Sequence, residues 1–121
     1  MTLRILAVDD SRTMRDMIRL ALAEAGFEVH LAEDGIHGLE VMDAVNPQVI
    51  ITDINMPRMD GFGFIEAIRA RDDYKGVPIL TLTTESADNL KQRARDAGAT
   101  GWIVKPFNKE KLISIIHRVA A

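Results

Sequence analysis

The chain has no cysteine, one tryptophan, one tyrosine and four prolines among its 121 residues. Without cysteine it forms neither disulfide bonds nor thiolate metal sites. No apolar run approaches the roughly 20 residues that a membrane-spanning helix needs. The first short run ends in an acidic pair, before the apolar segment of a signal peptide could form. These absences predict a cytoplasmic domain with no membrane contact.

A concentrated basic surface is also missing. Lys and Arg number 15 against 18 acidic residues, which gives a formal net charge of −3. Because a nucleic-acid-binding face requires a basic stripe, we expect no nucleic-acid partner. The chain is long enough for one packed core, and no linker or low-complexity segment interrupts it. We predict a single domain over residues 1–121, with no output domain, that acts as a monomer.

Short apolar runs alternate with longer segments of helical periodicity. The predicted strands are 4–8, 28–32, 49–52, 77–83 and 101–104. Gly26 and Asn46 end the first two predicted helices, and Ser86 caps the fourth, which runs to Gly98. Strands joined by helical crossovers form a parallel sheet with helices on both faces. The sequence therefore predicts an α/β fold with a doubly wound, five-stranded parallel sheet in the order 2-1-3-4-5.

Acidic residues follow two strands that are neighbours in this order. Asp9 and Asp10 follow the first strand, and Asp53 follows the third. The carboxyl ends of parallel strands share one edge, so these acids should converge. Two carboxylates about 4 Å apart repel by roughly 4 kcal/mol at an effective dielectric of 20, so a cation or a shared proton is needed. The acids come from separate strands rather than from one twelve-residue calcium loop, which favours Mg²⁺ and a phosphoryl ligand.

Two further polar residues should face the same edge. Thr83 follows the fourth strand, and Lys105 follows the fifth. A hydroxyl and an ammonium group beside a magnesium ion can hold the oxygens of a transferring phosphoryl group. Lys105 precedes a proline, which favours extended geometry and permits a cis peptide bond.

These motifs together resemble the receiver domains of two-component response regulators. The resemblance rests on Val8-Asp9-Asp10-Ser11, the segment 53–61 (DINMPRMDG), Thr83 and Lys105-Pro106-Phe107, and it covers essentially the whole chain. It implies a flavodoxin-like (βα)5 fold. It is strongest to the freestanding regulators of bacterial chemotaxis, which implies control of the flagellar motor by phosphorylation.

The resemblance also implies a role for each site residue. Asp53 accepts a phosphoryl group from a histidine of a sensor kinase. Asp10, Asp53 and the backbone carbonyl of Asn55 ligate Mg²⁺, and Asp9 acts through water. Thr83 and Lys105 bind the new phosphoryl group. The domain is then no enzyme in the ordinary sense but a phosphoacceptor with magnesium-dependent autophosphorylation and autodephosphorylation.

The hydrolysis rate and the output surface follow from the same resemblance. Asn55, Thr84 and Glu85 flank the path of the attacking water, with Thr84 where a smaller residue is usual. Trp102 stands where receivers carry an aromatic residue that moves with the threonine; alternatively, it is an ordinary packing residue. We expect Trp102, Lys91, Arg95 and Phe107 on the partner face. The expected partners are a chemotaxis-type sensor histidine kinase, the flagellar motor switch protein or another target, and a phosphatase.

Three alternatives use the same residues differently. The domain could be a phosphate sink or relay receiver in another two-component pathway. A haloacid-dehalogenase-like phosphatase would also use a strand-end aspartate with Mg²⁺, but Asn55 stands where its second carboxylate belongs. A flavin-binding module would need a phosphate loop after the first strand, where Asp9 and Asp10 would repel the phosphate.

Overall fold

The computed structural model describes residues 2–121, in which strands and helices alternate along the chain. The strands are β1 (Arg4–Val8), β2 (Glu28–Ala32), β3 (Val49–Thr52), β4 (Ile79–Thr83) and β5 (Gly101–Val104). All neighbouring strands are parallel, in the order β2-β1-β3-β4-β5. The predicted fold class and strand order are thus confirmed. The predicted start of β4 at Val77 is wrong, because Val77 N–H donates to Tyr74 O in the preceding turn and Pro78 has no N–H to donate.

Five α-helices connect and cover the strands. They are α1 (Arg12–Glu24), α2 (Gly35–Val45), α3 (Gly61–Arg69), α4 (Asp88–Ala97) and α5 (Lys109–Ala120), with a short 3-10 turn at Asp72–Tyr74. None of the helices in residues 2–121 combines the length and the apolar character needed to cross a bilayer.

Side-chain caps explain where four of these helices begin. The side chains of Ser11, Asp34, Asp60 and Asn108 each accept a hydrogen bond from a backbone N–H in the first turn. The predicted Ser86 cap of α4 is wrong: the capping position is Ala87, whose side chain has no oxygen. The N–H groups of both Leu90 and Lys91 donate to the Ala87 carbonyl, so the helix begins one residue later.

Two large apolar clusters cover the two faces of the sheet. Alternation along β1 directs Ile5 and Ala7 to the cluster beneath α1 and α5, and Leu6 and Val8 to the cluster beneath α2 and α3. A third cluster beneath α4 contains only three buried residues, Ile54, Phe62 and Ala94. Because buried apolar area provides most of the packing free energy, α4 is the helix with the smallest core contact of its own.

Helix α3 begins against the backbone at the end of β3. The N–H of Gly61 donates to the Ile54 carbonyl at 2.8 Å. A Cβ atom at position 61 would overlap the Asp53 carbonyl oxygen and lie 2.8 Å from the Ile54 Cα. Neither neighbour is a flexible side chain, so this close approach requires glycine.

We expect Gly61→Ala to destabilise the protein by about 1 to 3 kcal/mol, because the methyl group would push against backbone atoms that cannot rotate away. Chemical denaturation measures this difference. Gly76→Ala is the matched control, since a Cβ atom there meets nothing within 4 Å. Equal stability of the two variants would contradict the packing argument.

Candidate functional site

Three acids meet at the carboxyl edge of the sheet. One carboxylate oxygen from each of Asp9, Asp10 and Asp53 lies within 4.8 Å of the other two. The Asp53 N–H donates to the Val8 carbonyl at 2.9 Å, which ties the ends of β1 and β3 together. Asp9 is 1% exposed and Asp53 is 8% exposed, whereas Asp10 faces solvent. The cluster therefore lies at the mouth of the sheet, with one side open to solution.

Lys105 lies between two of these acids. Its Nζ is 2.7 Å from Asp9 Oδ2 and 3.0 Å from Asp53 Oδ2. Its backbone N–H donates to the Thr83 carbonyl, which fixes the residue at the end of β5, and the peptide bond to Pro106 is cis. One ammonium group thus reduces the repulsion between two carboxylates that come from different strands.

Burial and ion pairing have opposite effects on the pKa values of Asp9 and Lys105. Burial raises the pKa of Asp9, although the hydrogen bond from Lys105 partly offsets it. Burial alone would lower the pKa of Lys105, but its hydrogen bonds to Asp9 and Asp53 outweigh burial and raise that pKa. Lys105 is therefore held in its charged form. Three carboxylates against one ammonium group leave an excess of negative charge that a divalent cation would balance.

The remaining oxygens of Asp9 and Asp53 bind backbone N–H groups. Asp53 Oδ1 accepts from the Ile54 N–H at 2.7 Å, and Asp9 Oδ1 accepts from the Ser11 N–H at 2.9 Å. Both carboxylates are consequently held in one orientation. Asp53 Oδ2 contacts the Lys105 ammonium group instead of the backbone.

Thr83, at the end of β4, and residues of the loops after β3 and β4 lie beside the acidic cluster. Thr83 is fully buried, and its hydroxyl accepts from the Glu85 N–H at 3.3 Å. Asn55 Nδ2 donates to Glu85 Oε1 at 3.2 Å, linking the loop after β3 to the loop after β4. Thr84 is exposed beside this contact. The structure thus brings Asn55, Thr83 and Glu85 to the edge that carries the acids.

Trp102 is joined to the same loop. Its ring packs against the cluster that contains Ile54 and Phe62, and its Nε1 donates to the Glu85 carbonyl at 3.0 Å. Trp102, Lys91 and Arg95 line one groove between α4 and β5, which we call the α4–β5 groove. Phe107 is not in this groove: it packs against the apolar cluster beneath α1 and α5. The structure therefore groups three of the four residues expected on a partner face.

An ion pair near the site was not anticipated from the sequence. Arg58, in the loop after β3, donates from Nε to Asp34 Oδ2 at 2.7 Å and from Nη2 to Asp34 Oδ1 at 3.0 Å. These bonds, with a second contribution from the His37 N–H, hold the pKa of Asp34 below its usual value. Asp34 preceding a helix with Gly35 at its first position is typical of a helix cap, but no local signal identifies its partner 24 residues away.

A family model and the curated relatives both match response regulators. The response regulator receiver domain model matches residues 5–117. A probable chemotaxis protein CheY of Rhizobium etli is 36% identical over 118 residues, covering 97% of this chain and 92% of its own length. The response regulator MprA of Mycobacterium leprae is 38% identical over 115 residues, covering 95% of this chain and 50% of its own. The chain thus spans about half the length of the MprA relatives.

Solved structures agree with the sequence matches. The structure of Vibrio cholerae chemotaxis protein CheY4 superposes with a TM-score of 0.94 at 46% identity and covers 98% of this chain and 99% of its own. A response regulator protein from Burkholderia multivorans gives a TM-score of 0.81 at 44% identity, covering 100% and 97%. With the acidic edge described above, these matches establish that the chain belongs to the response regulator receiver domain family.

Proposed function

We propose that this receiver domain is a signalling switch that is turned on when Asp53 accepts a phosphoryl group from a sensor histidine kinase. The observation that carries the proposal is the position of Asp53 Oδ2, which lies 3.0 Å from Lys105 Nζ in a cluster with Asp9 and Asp10. A carboxylate in this position can act as a nucleophile, and the surrounding cations can offset the charge that develops.

Receiver domains bind Mg²⁺ at an acidic pocket, and the residues present here suit that ion. Carboxylate and carbonyl oxygens are the ligands that hard divalent cations prefer. Asp10, Asp53 and the Asn55 backbone carbonyl would hold the ion, with Asp9 acting through water. When bound, the ion neutralises part of the negative charge on the phosphoryl oxygens.

The transfer itself requires one bond to form and one to break. Asp53 Oδ2 attacks phosphorus, an O–P bond forms, and the P–N bond to the kinase histidine breaks, with its electron pair leaving on the imidazole nitrogen. Lys105 offsets the charge on the phosphoryl group. The Thr83 hydroxyl donates to a phosphoryl oxygen. Its contact with the Glu85 N–H uses a lone pair of the hydroxyl oxygen, so the hydroxyl proton remains available for this bond.

We expect acetyl phosphate with Mg²⁺ to add one phosphoryl group to the wild-type protein and none to Asp53→Asn, because the amide is not a nucleophile. Intact-protein mass spectrometry at low temperature measures the addition. Asp73→Asn is the control, since its side chain is 63% exposed and lies in the turn before β4. Chelation of Mg²⁺ should also abolish labelling. Equal labelling of Asp53→Asn would refute the assignment.

We further propose that the phosphoryl group is short-lived. Asn55 and Glu85 are polar residues at the mouth of the site, joined by a hydrogen bond of 3.2 Å, and a polar approach to Asp53 favours attack by water. Thr84, which precedes Glu85, is exposed, and we expect its side chain to narrow that approach. The balance between access and crowding at these three residues then sets the rate of hydrolysis.

Replacing Asn55 with Lys and Glu85 with Tyr together should lengthen the phosphoryl lifetime about tenfold, equivalent to about 1.4 kcal/mol in the activation free energy. The bulky side chains would exclude water from the open side of the site. Decay is followed after removal of acetyl phosphate. Asn89→Lys, on the exposed surface of α4, is the charge control. An unchanged decay rate in the double variant would remove both residues from the hydrolysis mechanism.

For the output, we propose that the domain acts in chemotaxis by binding the flagellar motor switch protein through the α4–β5 groove. Two observations support this: the similarity to chemotaxis proteins of Vibrio cholerae and Rhizobium etli, and the near-complete mutual coverage with both. The similarity to MprA keeps a second candidate open, a sink or relay receiver in another two-component pathway.

Beryllofluoride with Mg²⁺ should change Trp102 emission and raise the affinity for the receiver-binding peptide of a flagellar motor switch protein. Complete conversion from 1:99 to 99:1 would require about 5.5 kcal/mol of differential stabilisation, so we expect partial switching. Trp102→Ala should weaken peptide binding while Asp53 is still phosphorylated.

Fluorescence and peptide titration measure these effects, and Lys75→Ala, an exposed cation outside the α4–β5 groove, serves as the control. If Trp102→Ala binds the peptide normally, the output surface lies elsewhere. If activation leaves the affinity for the peptide unchanged, the sink or relay candidate is favoured.

A further inference from the structure

The loop between β3 and α3 is held to the loop between β2 and α2 by Arg58, near its middle. Asp34, whose side chain is 4% exposed, caps α2 and accepts both hydrogen bonds of the Arg58 fork. Beside this pair, the Gly35 N–H donates to the Met59 carbonyl at 3.2 Å. The planar guanidinium and carboxylate groups fix both distance and orientation, so the pair specifies a loop path and not merely proximity.

The backbone of Arg58 adopts a conformation that its residue type disfavours. Its φ angle is +64°, in the left-handed region where residues other than glycine are uncommon. A non-glycine residue held there must be stabilised by its surroundings. The bidentate bond to Asp34 is the contact of Arg58 that can provide this stabilisation.

The path of this loop determines where the Asn55 carbonyl lies. Ile54 is held by the cluster beneath α4, and Gly61 is held by its bond to Ile54. Between them, Met56 and Met59 pack at the edge of the cluster beneath α2 and α3. Asn55, Pro57 and Arg58 are exposed, so their own side chains add little packing to that of the two methionines, and the Arg58 ion pair is the polar side-chain contact that ties this part of the loop to the α2 side of the sheet. A backbone carbonyl has no rotamers of its own, and its direction is set by the loop.

We propose that Arg58 is a positioning residue that raises the affinity of the site for Mg²⁺, because its ion pair with Asp34 holds the loop that carries the Asn55 carbonyl, one of the proposed ligands. The inference rests on the magnesium site proposed above. Arg58 itself is a ligand of neither the ion nor the phosphoryl group. It acts at a distance by fixing one ligand, as outer partners of metal ligands do.

Calorimetric titration with MgCl₂ alone tests the proposal directly. Arg58→Gly removes the ion pair while allowing the positive φ angle, and Asp34→Asn removes the charge while retaining an oxygen that can cap α2. Each should weaken Mg²⁺ binding about 3- to 10-fold, and the double variant should be no weaker than either single one. Arg58→Lys keeps the positive charge but loses the two-point hydrogen bonding of the guanidinium group, so its affinity for Mg²⁺ should lie between those of wild type and Arg58→Gly. Arg71→Ala, which breaks the exposed pair with Asp43, is the matched control and should bind Mg²⁺ like wild type.

A second readout separates positioning from general destabilisation. In Arg58→Gly the magnesium concentration giving half-maximal phosphorylation by acetyl phosphate should rise by the same factor, while the rate at saturating magnesium stays unchanged. Circular dichroism establishes that each variant is folded at the temperature used. If the wild type binds Mg²⁺ and folded Arg58→Gly binds it equally well, the positioning role is refuted. If the wild type itself binds no Mg²⁺, the proposed metal site is wrong instead.

Discussion

The contact of Lys105 with Asp9 and Asp53 is the interaction on which the rest of the site depends. Two carboxylates from neighbouring strands would repel each other at the sheet edge, and the ammonium group at 2.7 Å and 3.0 Å offsets that repulsion. The parallel order β1-β3-β4-β5 makes this possible, since it directs the ends of all four strands to one edge. Lys105 therefore both stabilises the edge and occupies the place where a phosphoryl oxygen would need a positive partner.

The elements with a local sequence signal, and the residues that the strand order brings to one edge, could be predicted, whereas a long-range ion pair between two loops could not. Apolar runs and helix periods gave five strands, five helices and the strand order, and the order in turn brought the acids together. The start of β4 and the cap of α4 were misplaced, because competing turn bonds at Val77 and Ala87 decide those boundaries. The Asp34–Arg58 pair was missed since its partners are 24 residues apart and each residue alone suits a solvated surface.

The direction of the Phe107 side chain was likewise not evident from the sequence. Its position after the Lys105-Pro106 motif suggested a partner contact, but its ring packs beneath α1 and α5. Sequence position places a residue at the end of a strand, whereas the direction of its side chain depends on which cluster has room for it. Trp102, which lies in β5, packs instead against the cluster beneath α4.

The small cluster beneath α4 connects the site to the α4–β5 groove. Ile54 follows Asp53 directly and donates to its carboxylate, and the Ile54 side chain packs in the cluster that Trp102 borders. Trp102 in turn donates to the Glu85 carbonyl, in the loop whose next contact is the Thr83 hydroxyl. Helix α4 contributes one buried residue, Ala94, and packs it on Ile54 and Phe62, so it can be repacked at lower free-energy cost than the helices on the large clusters. Asp53 and the α4–β5 groove are thus joined by two chains of contacts, one through Ile54 and one through Lys105, Thr83 and Glu85. Under the proposed function, these are the contacts along which phosphorylation of Asp53 would bias the packing of α4.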